Sequence, residues 1–190
     1  TWRDPWTVPA PLRGPETAKP VRVAVVLDPA GQGAAEHVQD GVRKAARALE
    51  DAGYEVEEVE PPSLDTAAKT WLDILNADMG TALQIMSPPW GADTARFVSA
   101  LFGLAPEPNP MTTIQNLVVR QSLLRAWGEF QEDHPMIVAP IYTDLPFEVG
   151  KDLTSAGVAE ILRGMRMALA VNALGLPAVA LPVGIRDGLP

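Results

Sequence analysis

A serine nucleophile needs a base within hydrogen-bond reach of its hydroxyl, with donors for the oxyanion. The chain has Ser63, Ser87, Ser99, Ser122 and Ser155, and none stands in G-x-S-x-G, in S-x-x-K or in a glycine-rich turn after a strand. Ser63 reads as a helix cap, Ser87 precedes two prolines, and Ser99 and Ser122 fall inside helical patterns. No nucleophile with its base is visible. His37 sits in the first turns of an amphipathic helix and His134 just before Pro135, positions more typical of surface residues than of general bases. There is no cysteine, which excludes a disulfide framework and a thiolate metal site, and two histidines exclude a histidine-rich zinc site. Glu57 with Glu58, and Glu132 with Asp133, read as solvated faces rather than the separated, apolar-shielded acids of a glycosidase. No metal or organic cofactor is expected.

Two further groups could bind rather than react. "DPAGQG" (residues 28–33) lies between a strand and a helix, where dinucleotide folds hold a pyrophosphate. Glu36 stands where the third glycine of that motif belongs, and a carboxylate there opposes a bound phosphate, so an ordinary turn is the plainer reading. Trp71, Trp90 and Trp127 occur in a helical region, where an aromatic ring serves either as core or as the wall of a ligand pocket.

The elements that must position these groups follow from periodicity. Residues 1–20 carry five prolines and one glycine and read as an extended connector. "VRVAVVLD" (21–28) is a short β-branched run and predicts a buried strand; Val38, Val42, Ala45 and Leu49 then recur at helical spacing, with Gly53 as the cap. "YEVEEVEPP" alternates Tyr54, Val56 and Val59 with glutamates, as an edge strand does, completing a parallel βαβ unit. From about 63 to 133 the texture is helical: one helix over residues 64–86, a second over about 93–104 and a third over about 111–132. This stretch predicts a helical insertion packed over the sheet, where ligand pockets tend to form. Residues 136–141 return as a strand, residues 157–171 as a buried helix, and residues 177–185 as a buried strand running into an Asp-Gly hairpin turn at Asp187 and Gly188. The return strand of that hairpin is missing, which predicts a piece of a longer unit whose exposed last strand favours self-association by edge pairing. The fold class is α/β: a partial mixed sheet with flanking helices and a helical insertion, comprising a connector at 1–20 and a lobe at 21–190.

Totals bound the function. A hydrophobic content of 47% over 190 residues supports a sizeable core in one domain or large lobe. A formal net charge of −9, with no basic cluster to offset it, argues against nucleic acid and membrane surfaces as partners. No apolar run approaches the roughly 20 residues needed to span a bilayer. The expected compartment is the cytoplasm.

Read together, "RVAVVLD … GVRKAARALEDAGYEVEEVEPP", "MIVAPIYTDLPFEVGKD" and "VNALGLPAVALPVGIRDGLP" resemble the C-terminal half of the amidase-signature family. The last block is the most specific, and the match is weakest over residues 63–133. The resemblance implies hydrolysis of carbon–nitrogen amide bonds, in an amidase or in the glutamine-using subunit of an amidotransferase, by a serine, a cis-serine and a lysine. Those residues lie before the matched region, so no catalytic residue is assigned here and Lys69 and Lys151 are not substitutes. The chain alone is then expected to be inactive and to need the N-terminal catalytic half of the same protein. The resemblance further implies that the helix before Asn172 borders the substrate pocket, with Met165, Leu169 and Asn172 sharing a face at four- and three-residue steps and Arg166 beside it. Glutamine-using relatives carry an acid on this face; Met165 in its place favours a small apolar or aromatic amide. Met165 and Leu169 read simply as core ahead of any contact with substrate. Two rival readings stand beside this one, a stand-alone ligand-binding α/β domain and a nucleotide-dependent enzyme using residues 28–33.

Overall fold

The computed structural model describes residues 14, 20–80, 82–83, 89–186 and 188–189. Almost all of the expected connector at 1–20 lies outside the described residues. The sheet has three strands in the order β2-β1-β3, with β1 at Arg22–Val25, β2 at Glu55–Glu58 and β3 at Met136–Val138. Both pairings are parallel, Val23 facing Val56 on one side and Met136 on the other. The central position of β1 accounts for its composition: Val23, Ala24 and Val25 are buried, and only small or β-branched apolar side chains fit between layers on both faces. β2 carries three exposed glutamates along the edge, and such charge blunts an otherwise open ladder.

Helix α1 (Glu36–Asp51) covers one face, where Val42 and Ala46 meet Val25, Val56 and Val138. The opposite face is covered by α2 (Leu64–Leu75), α4 (Pro110–Asp133) and α6 (Arg166–Leu174), whose core holds Leu64, Ala67, Leu123, Trp127, Leu169 and Ala170, with Ile137 packed against it. Ile137 and Val138 fall on opposite faces as the two-residue period of a strand requires. Helix α3 (Ala92–Phe102) and α5 (Ser155–Gly164) close a smaller cluster around Ala100, Leu101 and Val158. The N-terminus of α4 is a capping box, Asn109 accepting from Thr112 N at 3.0 Å ahead of Pro110 at the first helical position.

Four expectations are corrected. The helix expected over 64–86 ends at Leu75, where a π-helical turn, Asn76–Gly80, takes over. Asn76 is buried there and donates its side-chain amide to Pro106 O at 2.9 Å, a tertiary bond that no local pattern announces. Ser63 holds the N-cap position of α2 in the left-handed region, yet its hydroxyl caps nothing. The helix expected over 157–171 is two helices meeting at Met165. Residues 177–185 form no strand: the segment is exposed, with Val179, Leu181 and Ile185 on the surface, and no described strand exchanges backbone hydrogen bonds with it. Apolar composition alone cannot make a strand without a ladder partner. It is tied to α1, where Lys44 Nζ donates to Val183 O at 2.7 Å and the bare Cα of Gly41 gives room for the Val183 side chain. The tight turn beyond it does form, Arg186 and Leu189 exchanging backbone bonds of 2.7 and 2.8 Å around Gly188 at φ +81°; Asp187 lies outside the described residues.

Candidate substrate-facing site

The break between α5 and α6 sets the site. Gly164 is the last residue of α5, and a Cβ there would overlap the ring of Tyr142. Its carbonyl is taken by Thr143 N at 3.1 Å, so it is lost to the helical ladder, and Met165 leaves the helical region at φ −93°, ψ 6°. Met165 O then starts α6 by accepting from Leu169 N at 2.9 Å. The loop after β3 is therefore pinned to the helix junction, and also to the β1–α1 loop, since Ala35 N donates to Thr143 O at 2.8 Å.

The four residues expected to touch substrate occupy different environments. Met165 is half-buried and packs on the core of α2, α4 and α6; Leu169 is buried inside that core. Asn172 is exposed and its Oδ1 accepts from Trp71 Nε1 at 2.9 Å. Arg166 is 2% exposed, and each of its donor nitrogens meets an acceptor of the protein itself: NH2 donates to Asp28 Oδ1 at 2.8 Å, NH1 to Arg163 O at 2.5 Å, and Nε to Pro29 O. Burial pulls the Arg166 guanidinium below its usual pKa and the Asp28 carboxylate pulls it back. In this arrangement Arg166 ties the β1–α1 loop to the helix break.

That same loop does not offer a phosphate cradle. Gly33 N donates to Asp28 Oδ2 at 3.1 Å and Ala30 N to Glu60 Oε2 at 2.6 Å, so carboxylates already occupy the amides a phosphate would need. The open cleft of about 530 Å³ beside it is lined by Asp28, Glu58 and Glu60 with Arg43. An anion would meet like charge there, which counts against the nucleotide reading of residues 28–33.

Among the described residues no hydrogen bond joins a lysine to a serine. Lys69 Nζ bonds Asp73 at 2.6 Å and Lys151 Nζ bonds Glu160 at 2.9 Å. The hydrogen bond from Lys151 to Glu160 raises the Lys151 pKa, the reverse of what a general base requires. Burial raises the Tyr142 hydroxyl, which leaves it protonated beside Phe147. His134, read from sequence as a surface residue, is buried, stacks on Phe130 and bonds Glu57 Oε2 at 2.9 Å. Glu57, read as a solvated face, also pairs with Arg22. Among the described residues no cluster of three or more acidic or histidine side chains could hold a metal ion. Trp127 is core, its Nε1 donating to Pro62 O at 2.8 Å, Trp90 is exposed, and Trp71 is half-buried at the edge of the candidate face.

This arrangement of parallel strands and covering helices is shared with solved amide hydrolases and amidotransferases. The chain superposes with a TM-score of 0.68 on 6-aminohexanoate cyclic dimer hydrolase, at 18% identity over 92% of this chain and 40% of that one. It superposes with a TM-score of 0.66 on a glutamyl-tRNA(Gln) amidotransferase component from Thermotoga maritima, at 19% identity over 90% and 37%. The family model described as Amidase matches residues 5–190, and the chain belongs to the amidase family. Among curated relatives it is 34% identical to an indoleacetamide hydrolase of Bradyrhizobium japonicum, over 99% of this chain and 41% of the relative. The chain thus spans about two fifths of the length of that relative.

Proposed function

We propose that this chain is the substrate-facing C-terminal part of an enzyme that hydrolyses small aromatic amides. The observation that carries the proposal is the 34% identity to an indoleacetamide hydrolase along 99% of the chain. The half-buried, uncharged Met165 at the helix break supports an apolar or aromatic substrate over one with an α-amino group, which would seek an acid. Leu169 backs that face from the core and Arg166 holds the junction in place from behind.

In this reading the reacting groups are a serine, a cis-serine and a lysine carried by residues that precede the matched region. The serine oxygen attacks the amide carbonyl while the lysine takes its proton through the middle serine. The proton returns to the leaving amine, and water then releases the acid from the acyl-serine. Lys69 and Lys151 play no part, since each is held by a carboxylate. The substrate partner is a small amide, the macromolecular partner is the N-terminal half of the same protein, and the compartment is the cytoplasm. Among the described residues no helix is long and apolar enough to cross a membrane.

The test is ammonia release from indoleacetamide by the protein with its preceding residues, compared with the 190-residue chain by itself. The expected result is turnover from the first and none from the second. Exchanging Met165→Asp in the longer protein should move preference away from aromatic amides and toward glutamine; an unchanged preference removes the role given to Met165.

A further inference from the structure

Helix α4 changes character along its length. Its C-terminal half lies on the body: Leu123 and Trp127 are buried, Trp127 Nε1 donates to Pro62 O just past β2, and His134 bonds Glu57 within β2. From Trp127 back to Pro110 the helix runs on for about 25 Å, at about 1.5 Å per residue, so its N-terminal half projects past the C-terminal ends of the strands. This projecting half carries Met111, Ile114, Leu117 and Val118, which are between 48% and 64% exposed. At 3.6 residues per turn Ile114 stands opposite Leu123 around the helix, and Met111 and Val118 lie on the same side as Ile114. These side chains turn away from the body and cannot join its core. Further along that outer face come Gln121, Ser122, Arg125 and Glu129, all exposed. A surface helix keeps its outer face polar, and α4 does so only where it lies on the body.

We infer that this apolar stripe is covered in the whole enzyme by the residues that precede this chain, and is a seat for the catalytic half; this rests on the amide-hydrolase reading above. Three observations select that occupant. The chain covers 41% of the indoleacetamide hydrolase it matches, so about three fifths of that relative lies elsewhere. The stripe stands at the C-terminal ends of the parallel strands, as does the break at Met165, since Arg166 bonds Asp28 and Pro29 just beyond β1. Sheets of this kind gather their sites at that end, so a part bearing the reacting groups has to approach the side from which the stripe rises. A second copy of the chain fits less well. Four aliphatic side chains amount to at most about 500 Å² of apolar surface, below the roughly 800 Å² per partner that a stable interface buries. A part joined through the backbone needs no such area, because its effective concentration is already high.

The experiment is thiol labelling in the protein with its preceding residues. These 190 residues contain no cysteine, so Ile114→Cys or Val118→Cys puts a single thiol in the stripe, and its reaction with a maleimide can be followed at that peptide by mass spectrometry. Labelling in buffer should be at least about tenfold slower than in urea, as for a site reached only through local opening, and the ratio should not change on dilution. Labelling as fast in buffer as in urea would show the stripe open to solvent and overturn the inference. Slow labelling that becomes fast on dilution would assign the stripe to a second copy and overturn it too. The double variant Ile114→Lys with Val118→Lys gives an independent readout: it should lower the thermal midpoint of the longer protein, and an unmoved midpoint would count against a buried stripe. Absence of amide hydrolysis by the longer protein would overturn the amide-hydrolase reading, while the labelling still decides whether the stripe is covered.

Discussion

Asp28 and Arg166 stand 138 residues apart and form a 2.8 Å ion pair that joins the loop after the first strand to the start of the last helix. The guanidinium is buried, and the Asp28 carboxylate is also held by Gly33 N, so the pair fixes loop and helix break together. Asp28→Asn leaves the cation buried without its countercharge and puts an NH2 donor in place of one of the two oxygens that accept from Arg166 and Gly33 N. Removing one member of a buried pair costs about 3–5 kcal/mol, and the partial exposure of Asp28 places this variant at about 2–3 kcal/mol. Urea unfolding that detects a loss under about 0.5 kcal/mol, the size of an ordinary surface substitution, would show the pair to be dispensable.

Two glycines in helices should answer alanine with opposite signs. At Gly164 a Cβ overlaps Tyr142, whose ring is backed by Phe147, so Gly164→Ala should destabilise by about 1–3 kcal/mol through overpacking. At Gly128, inside α4, a Cβ meets nothing within 4 Å, and Gly128→Ala should stabilise by about 0.5–1 kcal/mol. Thermal melts of the two variants side by side make the comparison, and equal shifts would contradict it.

The Glu57 carboxylate is held below its usual pKa by its hydrogen bond with His134 first and by Arg22 second. A carboxylate depressed in the folded state contributes stability above its unfolded value, about 4.5, and loses it as pH falls through the folded value. Wild type should therefore be more stable than Glu57→Gln at about pH 6, and the gap should narrow on acidification below about pH 4.5. Urea midpoints measured from about pH 6 down to about pH 3 span that window and give the answer. A gap independent of pH would mean that the carboxylate charge is not what matters there.

How much of this is legible in the sequence depends on the range of the interaction. β1, α1, β2 and the long α4 follow from spacing of apolar residues and from Gly53 and Pro110, all local signals. The break at Met165 is not legible, because it arises where Thr143, in another loop, takes the Gly164 carbonyl. The strand expected over 177–185 fails for the same reason in reverse: the apolar run is local but a ladder partner is not. Trp71 with Asn172, Asp28 with Arg166 and Glu57 with His134 are polar pairs from distant positions, and nothing in the residue types at either end announces the other. Sequence marks Trp71 only as an aromatic in a helical region; its role emerges from the acceptor that its N–H finds.

The exposed segment at 177–185 bears on behaviour in solution. Val179 and Ile185 are 83% and 79% exposed along a backbone that no described strand pairs with, an arrangement that invites pairing between copies of the chain. Light scattering of the 190-residue chain should show association that grows with concentration and weakens when Val179→Lys and Ile185→Lys are combined. A clean monomer at high concentration would speak against edge pairing.

The most direct test of the whole account is a rate: turnover of indoleacetamide by the longer protein set against that of residues 1–190 alone, in the same buffer and at the same molar concentration. Release of ammonia by the longer protein, with none above background from the chain by itself, is the predicted result. Turnover by the chain alone, or hydrolysis of no aromatic amide by either, would contradict it.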